Sequence, residues 1–178
     1  YVFVNQFSFD LGPDTTVCQY TCVELIGPPN MVEYRWTVAD TVYATTETIE
    51  PCPGDTTTYI LWVKNDNGAT AEDSISINTK NNPTVSFVED SLRACFGSNV
   101  EISVIASEDV VDFHWYYNAF DTITQTSSFV LRNVDISASV NVVVTSINEC
   151  NAFKSSYLTV VPYPDIVASN DTTICPSD

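Results

Sequence analysis

Asp14-Thr15-Thr16-Val17-Cys18 returns as Asp90-Ser91-Leu92-Arg93-Ala94-Cys95 and, nearly verbatim, as Asp171-Thr172-Thr173-Ile174-Cys175. The three cysteines lie 77 and then 80 residues apart. Self-similarity at a fixed spacing is the signature of a repeat, and it overrides the single domain that 178 residues would otherwise suggest. Each copy follows an apolar, alternating stretch: Tyr1-Val2-Phe3-Val4, Ser74-Ile75-Ser76-Ile77 and Tyr157-Leu158-Thr159-Val160-Val161. Such a stretch reads as the last strand of the preceding module. The expected frame is therefore 1–6, the last strand of a preceding module; 7–80 and 81–163, two full modules; and 164–178, the first strand of a following one.

Between the motifs, strand signals dominate. Val, Ile, Thr, Tyr and Phe alternate with polar residues over 57–63, 100–105 and 139–144, the pattern of half-buried antiparallel strands. Turn chemistry separates the runs at Gly27-Pro28-Pro29-Asn30, Pro51-Cys52-Pro53-Gly54-Asp55, Asn65-Asp66-Asn67-Gly68, Phe96-Gly97-Ser98-Asn99 and Asn148-Glu149-Cys150-Asn151. No stretch shows a convincing amphipathic helical period. The fold class expected is all-β: tandem Ig-like antiparallel β-sandwich modules in a linear array, about seven strands each. Trp36 and Trp115, 79 residues apart, share one slot, read as a third strand with its indole between the sheets. Trp62 has no counterpart; Val143 or a neighbour takes its place. The junctions Thr79-Lys80-Asn81-Asn82-Pro83 and Pro162-Tyr163-Pro164 are short and restricted by proline, so a semi-stiff rod is expected.

Modules this small bury only roughly 60–65% of their unfolded surface and need support beyond a core. Six cysteines with no Cys-x-x-Cys and no His partner suit disulfides in an oxidising compartment better than zinc. An exported, extracellular or cell-surface protein follows. Six Lys and Arg against 23 Asp and Glu give a net charge of −17, which argues against nucleic acid, because phosphate backbones are bound through cations. No apolar run approaches the ~20 residues of a membrane helix, so direct membrane insertion is not expected.

These residues resemble a known family. Asp-Thr-Thr-Ile-Cys-Pro-x-Asp at 171–178, a Trp on a middle strand, and a Tyr-x-Val-x-Val run into Asp/Asn-x-Asn-Gly-Cys before the last strand look like the Ig-like or PKD-like repeats of very large Bacteroidetes surface proteins. These include gliding-motility adhesins exported by the type IX secretion system. The resemblance covers essentially the whole chain. It implies that Cys95 pairs with Cys150, although in a standard Ig sandwich this pairing requires a shifted first strand. The first module departs from the pattern, with Ala69 where the final cysteine belongs. Its spare Cys22 and Cys52 suggest a replacement bridge, Cys22 with Cys52 or Cys18 with Cys52. Cys175 then seeks a partner beyond residue 178.

Asp followed by Ser or Thr, then Thr or an aliphatic residue, occurs at Thr15, Thr41, Thr56, Ser74, Ser91, Thr122 and Thr172, and takes up seven of the fourteen aspartates. This looks like the Bacteroidetes O-glycosylation signal, and the chain would then be a glycoprotein. The same dipeptide is also ordinary turn and strand-start chemistry. Asn170-Asp171-Thr172 fits the N-glycosylation pattern once.

Catalysis finds little support, and no cofactor is expected. The single histidine, His114, should face solvent from a strand, opposite Trp115, with no Ser, Cys or carboxylate in a recognisable arrangement. Calcium is the one ion suited to the oxygen ligands near module starts, Asp10, Asp14, Glu89, Asp90, Asp165 and Asp171, yet no calcium loop is present. The expected function is a non-catalytic repeat segment of a long secreted cell-surface protein. It would act as a spacer or adhesin stalk in surface adhesion or gliding motility. Its partners would be neighbouring modules and a surface polysaccharide or protein. The alternative is a glycan-binding accessory module of a secreted hydrolase, using Trp62, Tyr116 and Tyr117.

Overall fold

A computed structural model describes residues 7–89 and 91–163. These residues are all-β, with no helix among them. They divide into two compact units. The first takes in the described residues up to Pro83 together with Ser146–Asn151, and the second Thr84–Thr145 and the described residues from Ala152.

The first unit contains β1 (Thr15–Cys18), β2 (Leu25–Ile26), β3 (Glu33–Val38), β4 (Thr41–Ala44), β5 (Thr48–Ile49), β6 (Thr57–Lys64) and β7 (Thr70–Lys80). A five-stranded sheet runs β1-β7-β6-β3-β4, and β2 pairs with β5 in a second, two-stranded sheet. Alternation decides which residues face in. On β6, Tyr59, Leu61 and Val63 are buried, while Ile60, Trp62 and Lys64 on the opposite face are only half-buried. They meet Leu25, Trp36, Ile49, Ile75 and Ile77 in one core. Gly27 closes a tight spot over that core, where an added Cβ would stand 2.9 Å from Leu61 Cδ2 and 3.2 Å from the Glu47 carbonyl oxygen. The β6–β7 hairpin turns on Asn65, whose side-chain oxygen accepts from the N–H groups of Asn67 and Ala69, with Gly68 at a φ of 79°.

The second unit is built from β8 (Val85–Phe87), β9 (Leu92–Cys95), β10 (Ser98–Ala106), β11 (Val110–Tyr117), β12 (Phe120–Thr124), β13 (Ser128–Val134), β14 (Ala138–Ser146) and β15 (Asn151–Val161), except that Ser146 at the end of β14 and Asn151 at the start of β15 fall in the first unit. A three-stranded sheet, β13-β10-β8, faces a five-stranded one, β12-β11-β14-β15-β9. Val140, Val142 and Val144 point inward from β14 and are fully buried against Ile102, Trp115, Leu131 and Leu158. Trp115 is on the fourth described strand of its unit, because the opening segment is split: β8 pairs with β10 in one sheet, and β9 joins the other.

One feature departs from the antiparallel expectation. The motif strand pairs in parallel with the last strand of its unit: Thr15 to Cys18 against Ile77 to Lys80, and Leu92 to Cys95 against Leu158 to Val161. A parallel pair needs a long crossover rather than a hairpin, and the intervening strands of the unit supply it. The expected last strands at 74–77 and 157–161 lie within β7 and β15; residues 1–6 and 164–178 lie outside the described residues.

Candidate functional site

The cysteine pairing differs from expectation. Cys18 is bonded to Cys150 and Cys22 to Cys52, both within the first unit. Cys95 is a free, exposed thiol, so the Cys95–Cys150 bridge implied by the family resemblance is not formed. The reason is the length of β15. Cys95 stands opposite Val161 at one end of this 11-residue strand, and Cys150 immediately precedes Asn151 at the other. At about 3.3 Å per residue the two ends are more than 30 Å apart, whereas bridged Cα atoms sit within roughly 7 Å. The turn after β9 and the turn before β15 thus lie at opposite ends of the sheet, as in a standard Ig sandwich, and the shifted first strand that this bridge required is not formed. With Cys18 held by Cys150, pairing of Cys18 with Cys52 is also ruled out. Cys175 lies outside the described residues.

Of the Asp-Ser/Thr positions, Thr41, Thr56, Ser74 and Ser91 are exposed, Thr15 and Thr122 are half-buried, and Thr172 lies outside the described residues. Several of the preceding aspartates hold structural hydrogen bonds. Asp14 accepts from the Ser76 N–H at 2.9 Å, and Asp73 from the Leu11 N–H at 2.7 Å. The Thr56 hydroxyl accepts from the Thr79 N–H at 3.1 Å. Among the calcium candidates, Asp10 accepts from the Gly12 N–H, while Asp90, Asp165 and Asp171 lie outside the described residues. Among the described residues no group of three or more His, Cys, Asp or Glu side chains is placed to hold a metal ion.

The aromatic residues suggested for glycan stacking are not a shared exposed platform. Tyr117 is buried, because it follows Trp115 by two residues and so points to the same inner face; its hydroxyl donates to the Ile136 carbonyl. Trp62 is half-buried beneath Arg35, whose guanidinium carbon lies 4.7 Å from the ring centroid. Arg35 and Glu72 are its direct neighbours on the two flanking strands, and with Thr37, Asp40 and Val42 they line a shallow cleft of about 250 Å³.

His114 also differs from expectation. Its ring is held on both sides: Nε2 is 2.5 Å from Asp121 Oδ1, and Nδ1 is 2.8 Å from the Tyr116 hydroxyl. The alternation of β11 could have placed Tyr116 beside His114, two residues away on the outer face. Asp121 was out of reach of sequence reasoning, because only the β11–β12 register, which sets Tyr116 opposite Asp121, brings it there.

Each unit is thus an Ig-like β-sandwich, with its motif strand, β1 or β9, on the same sheet as its last. No family model matches the chain, and no curated protein matches it. Among solved structures, the chain is similar to the fibronectin(III)-like modules of Clostridium thermocellum CbhA, with 10% identity over 85% of this chain and 91% of that one, at a TM-score of 0.43. It is similar to the insect immune protein hemolin, with 13% identity over 86% of this chain and 46% of that one, at a TM-score of 0.43. It is also similar to the N-terminal four Ig domains of Dscam1 isoform 1.9, with 11% identity over 83% of this chain and 43% of that one, at a TM-score of 0.40.

Proposed function

We propose that this chain is a non-catalytic segment of a long secreted cell-surface protein, in which Ig-like modules with boundaries near 7–80 and 81–163 serve as a spacer or adhesin stalk. The observation that carries this reading is the Cys18–Cys150 bond, with a sequence separation of 132. Tension applied to the two ends of the chain passes through this bond and bypasses every residue between the two cysteines. A segment built to hold its length under pull gains from such a bypass. The resemblance to the repeats of Bacteroidetes surface proteins supports the same reading, with type IX export, a role in gliding or adhesion, and O-linked sugars at exposed Thr41, Thr56, Ser74 and Ser91. A sugar at these positions would also shield nearby strands from mispairing.

Single-molecule pulling of the 178-residue chain by its termini tests the proposal. The oxidised protein should release no length from residues 19–149, and reduction should restore that length as unfolding steps. Release of that length from the oxidised protein would refute the bypass. The hydrolase-accessory reading would gain from glycan binding that Trp62→Ala abolishes while the fold stays intact.

A further inference from the structure

His114, Tyr116 and Asp121 form a chain of hydrogen bonds on the outer face of the second unit. The inner face of the same strand is core: Phe113, Trp115 and Tyr117 are buried. His114 is therefore fixed from below by a packed strand, and its ring lies against Tyr116 at a centroid distance of 4.2 Å. Asp121, on the neighbouring strand β12, approaches Nε2 at 2.5 Å. With a carboxylate there, the neutral ring carries its proton on Nε2, and Nδ1 is left as an acceptor. The only hydrogen bond made to Nδ1 among the described residues is that of the Tyr116 hydroxyl, at 2.8 Å. A hydroxyl on a base, with the base oriented by a carboxylate, is the arrangement that activates a nucleophile.

We propose that Tyr116 is an activated phenol at which the second unit accepts an acyl group from an activated carboxyl donor. In that step the Tyr116 oxygen forms a bond to the carbonyl carbon and its proton passes to His114 Nδ1. The imidazolium is stabilised by Asp121. The carbon–leaving-group bond then breaks, the leaving group departs with the electron pair, and His114 returns the proton to it. The product is an aryl ester on Tyr116, and no oxidant or reductant is needed. Phosphoryl donors fit less well. They are polyanions, and a chain with a net charge of −17 repels them, whereas an uncharged acyl donor meets no such barrier. The reading concerns one covalent attachment, not turnover, and it is independent of the stalk proposal.

N-acetylimidazole is the probe, since it transfers an acetyl group to phenols and releases imidazole. The chain has nine tyrosines, and Tyr20, 70% exposed, is the internal standard for an ordinary accessible phenol. Tyr116 is half-buried, so accessibility alone would make it the slower of the two. Peptide mapping over time should instead show Tyr116 acetylated faster than Tyr20 by about 100-fold, the lower end of what a positioned base supplies. His114→Phe keeps a ring against Tyr116 but removes the acceptor, and should bring the rate to that of Tyr20 or below. Asp121→Asn, at an exposed position, should give an intermediate rate and serves in place of His114→Phe if that variant does not fold. A Tyr116 rate no higher than that of Tyr20, or one unchanged in either folded variant, would overturn the proposal.

Discussion

Trp36 and Trp115 occupy equivalent slots in the two units. Each is fully buried, and each donates its indole N–H at 2.9 Å, but to different kinds of acceptor: the Thr46 carbonyl for Trp36, the Thr124 hydroxyl for Trp115. Any residue at 46 supplies a carbonyl, whereas only a hydroxyl or similar group at 124 satisfies Trp115. Thr124→Val should therefore cost about 1–3 kcal/mol by stranding a buried N–H. Thr46→Val should stay within about 0.5 kcal/mol, as exposed substitutions usually do. Denaturant titration of the two variants checks the contrast; equal effects would show that the indole bond of Trp115 contributes nothing particular.

The cysteine pattern gives a direct chemical test. A non-reducing digest should yield the linked pairs Cys18–Cys150 and Cys22–Cys52, and Cys95 should be alkylated in the folded protein without denaturant. The Cys22–Cys52 loop has a sequence separation of 30. Loop entropy then gives about 3.5 kcal/mol lost on its removal, so Cys22→Ser with Cys52→Ser should lower stability by that order. A recovered Cys95–Cys150 peptide would overturn the assignment.

How much of this was legible in the sequence depended on the range of the interaction. Alternation along β6, β11 and β14 is a local property, so the inward faces and the shared tryptophan slot could be read directly. The turns at Asn65 and Gly97 were equally local. Sheet membership was not. That Thr15–Cys18 joins the sheet of β7 in parallel follows from strand order in space, which periodicity does not encode. The cysteine pairing depends on the same kind of contact, since Cys95 is carried to the Val161 end of β15 by parallel pairing of β9. The neighbours of His114 show the same division: Tyr116 is local and could have been found, while Asp121 depends on hairpin register.

Ser146 is the one buried polar side chain among the described residues whose oxygen has no hydrogen-bond partner. Its backbone is well used, with its N–H donating to Cys150 and its carbonyl accepting from Glu149. Alanine keeps both of those bonds and removes only the unpaired hydroxyl. Ser146→Ala should therefore be neutral or stabilising by up to about 1 kcal/mol, since an unsatisfied buried polar group carries an uncompensated desolvation cost. A loss above about 1 kcal/mol in denaturant titration would mean that the hydroxyl has a partner after all.

Tyr117 and Tyr59 couple the stability of the fold to alkaline pH. Burial raises the Tyr117 phenol above the ordinary tyrosine value, and the nearby Asp135 carboxylate adds to it; burial, then the charge of Tyr43, does the same for Tyr59. Well below the unperturbed phenol value of about 10, both phenols are protonated in the folded and unfolded chains alike, and they give no pH dependence. Above it the unfolded chain releases these protons while the folded chain retains them. The unfolded state then binds fewer protons, and stability falls as pH rises toward the folded values. Tyr117→Phe loses the hydrogen bond to the Ile136 carbonyl and should be less stable at neutral pH by about 1 kcal/mol, yet its stability should decline less steeply above pH 10. Denaturation curves from pH 7 to pH 11.5 measure both effects, where roughly 10 is the phenol's unperturbed value. An unchanged alkaline slope in the variant would show that Tyr117 ionises in the folded chain as freely as in the unfolded one.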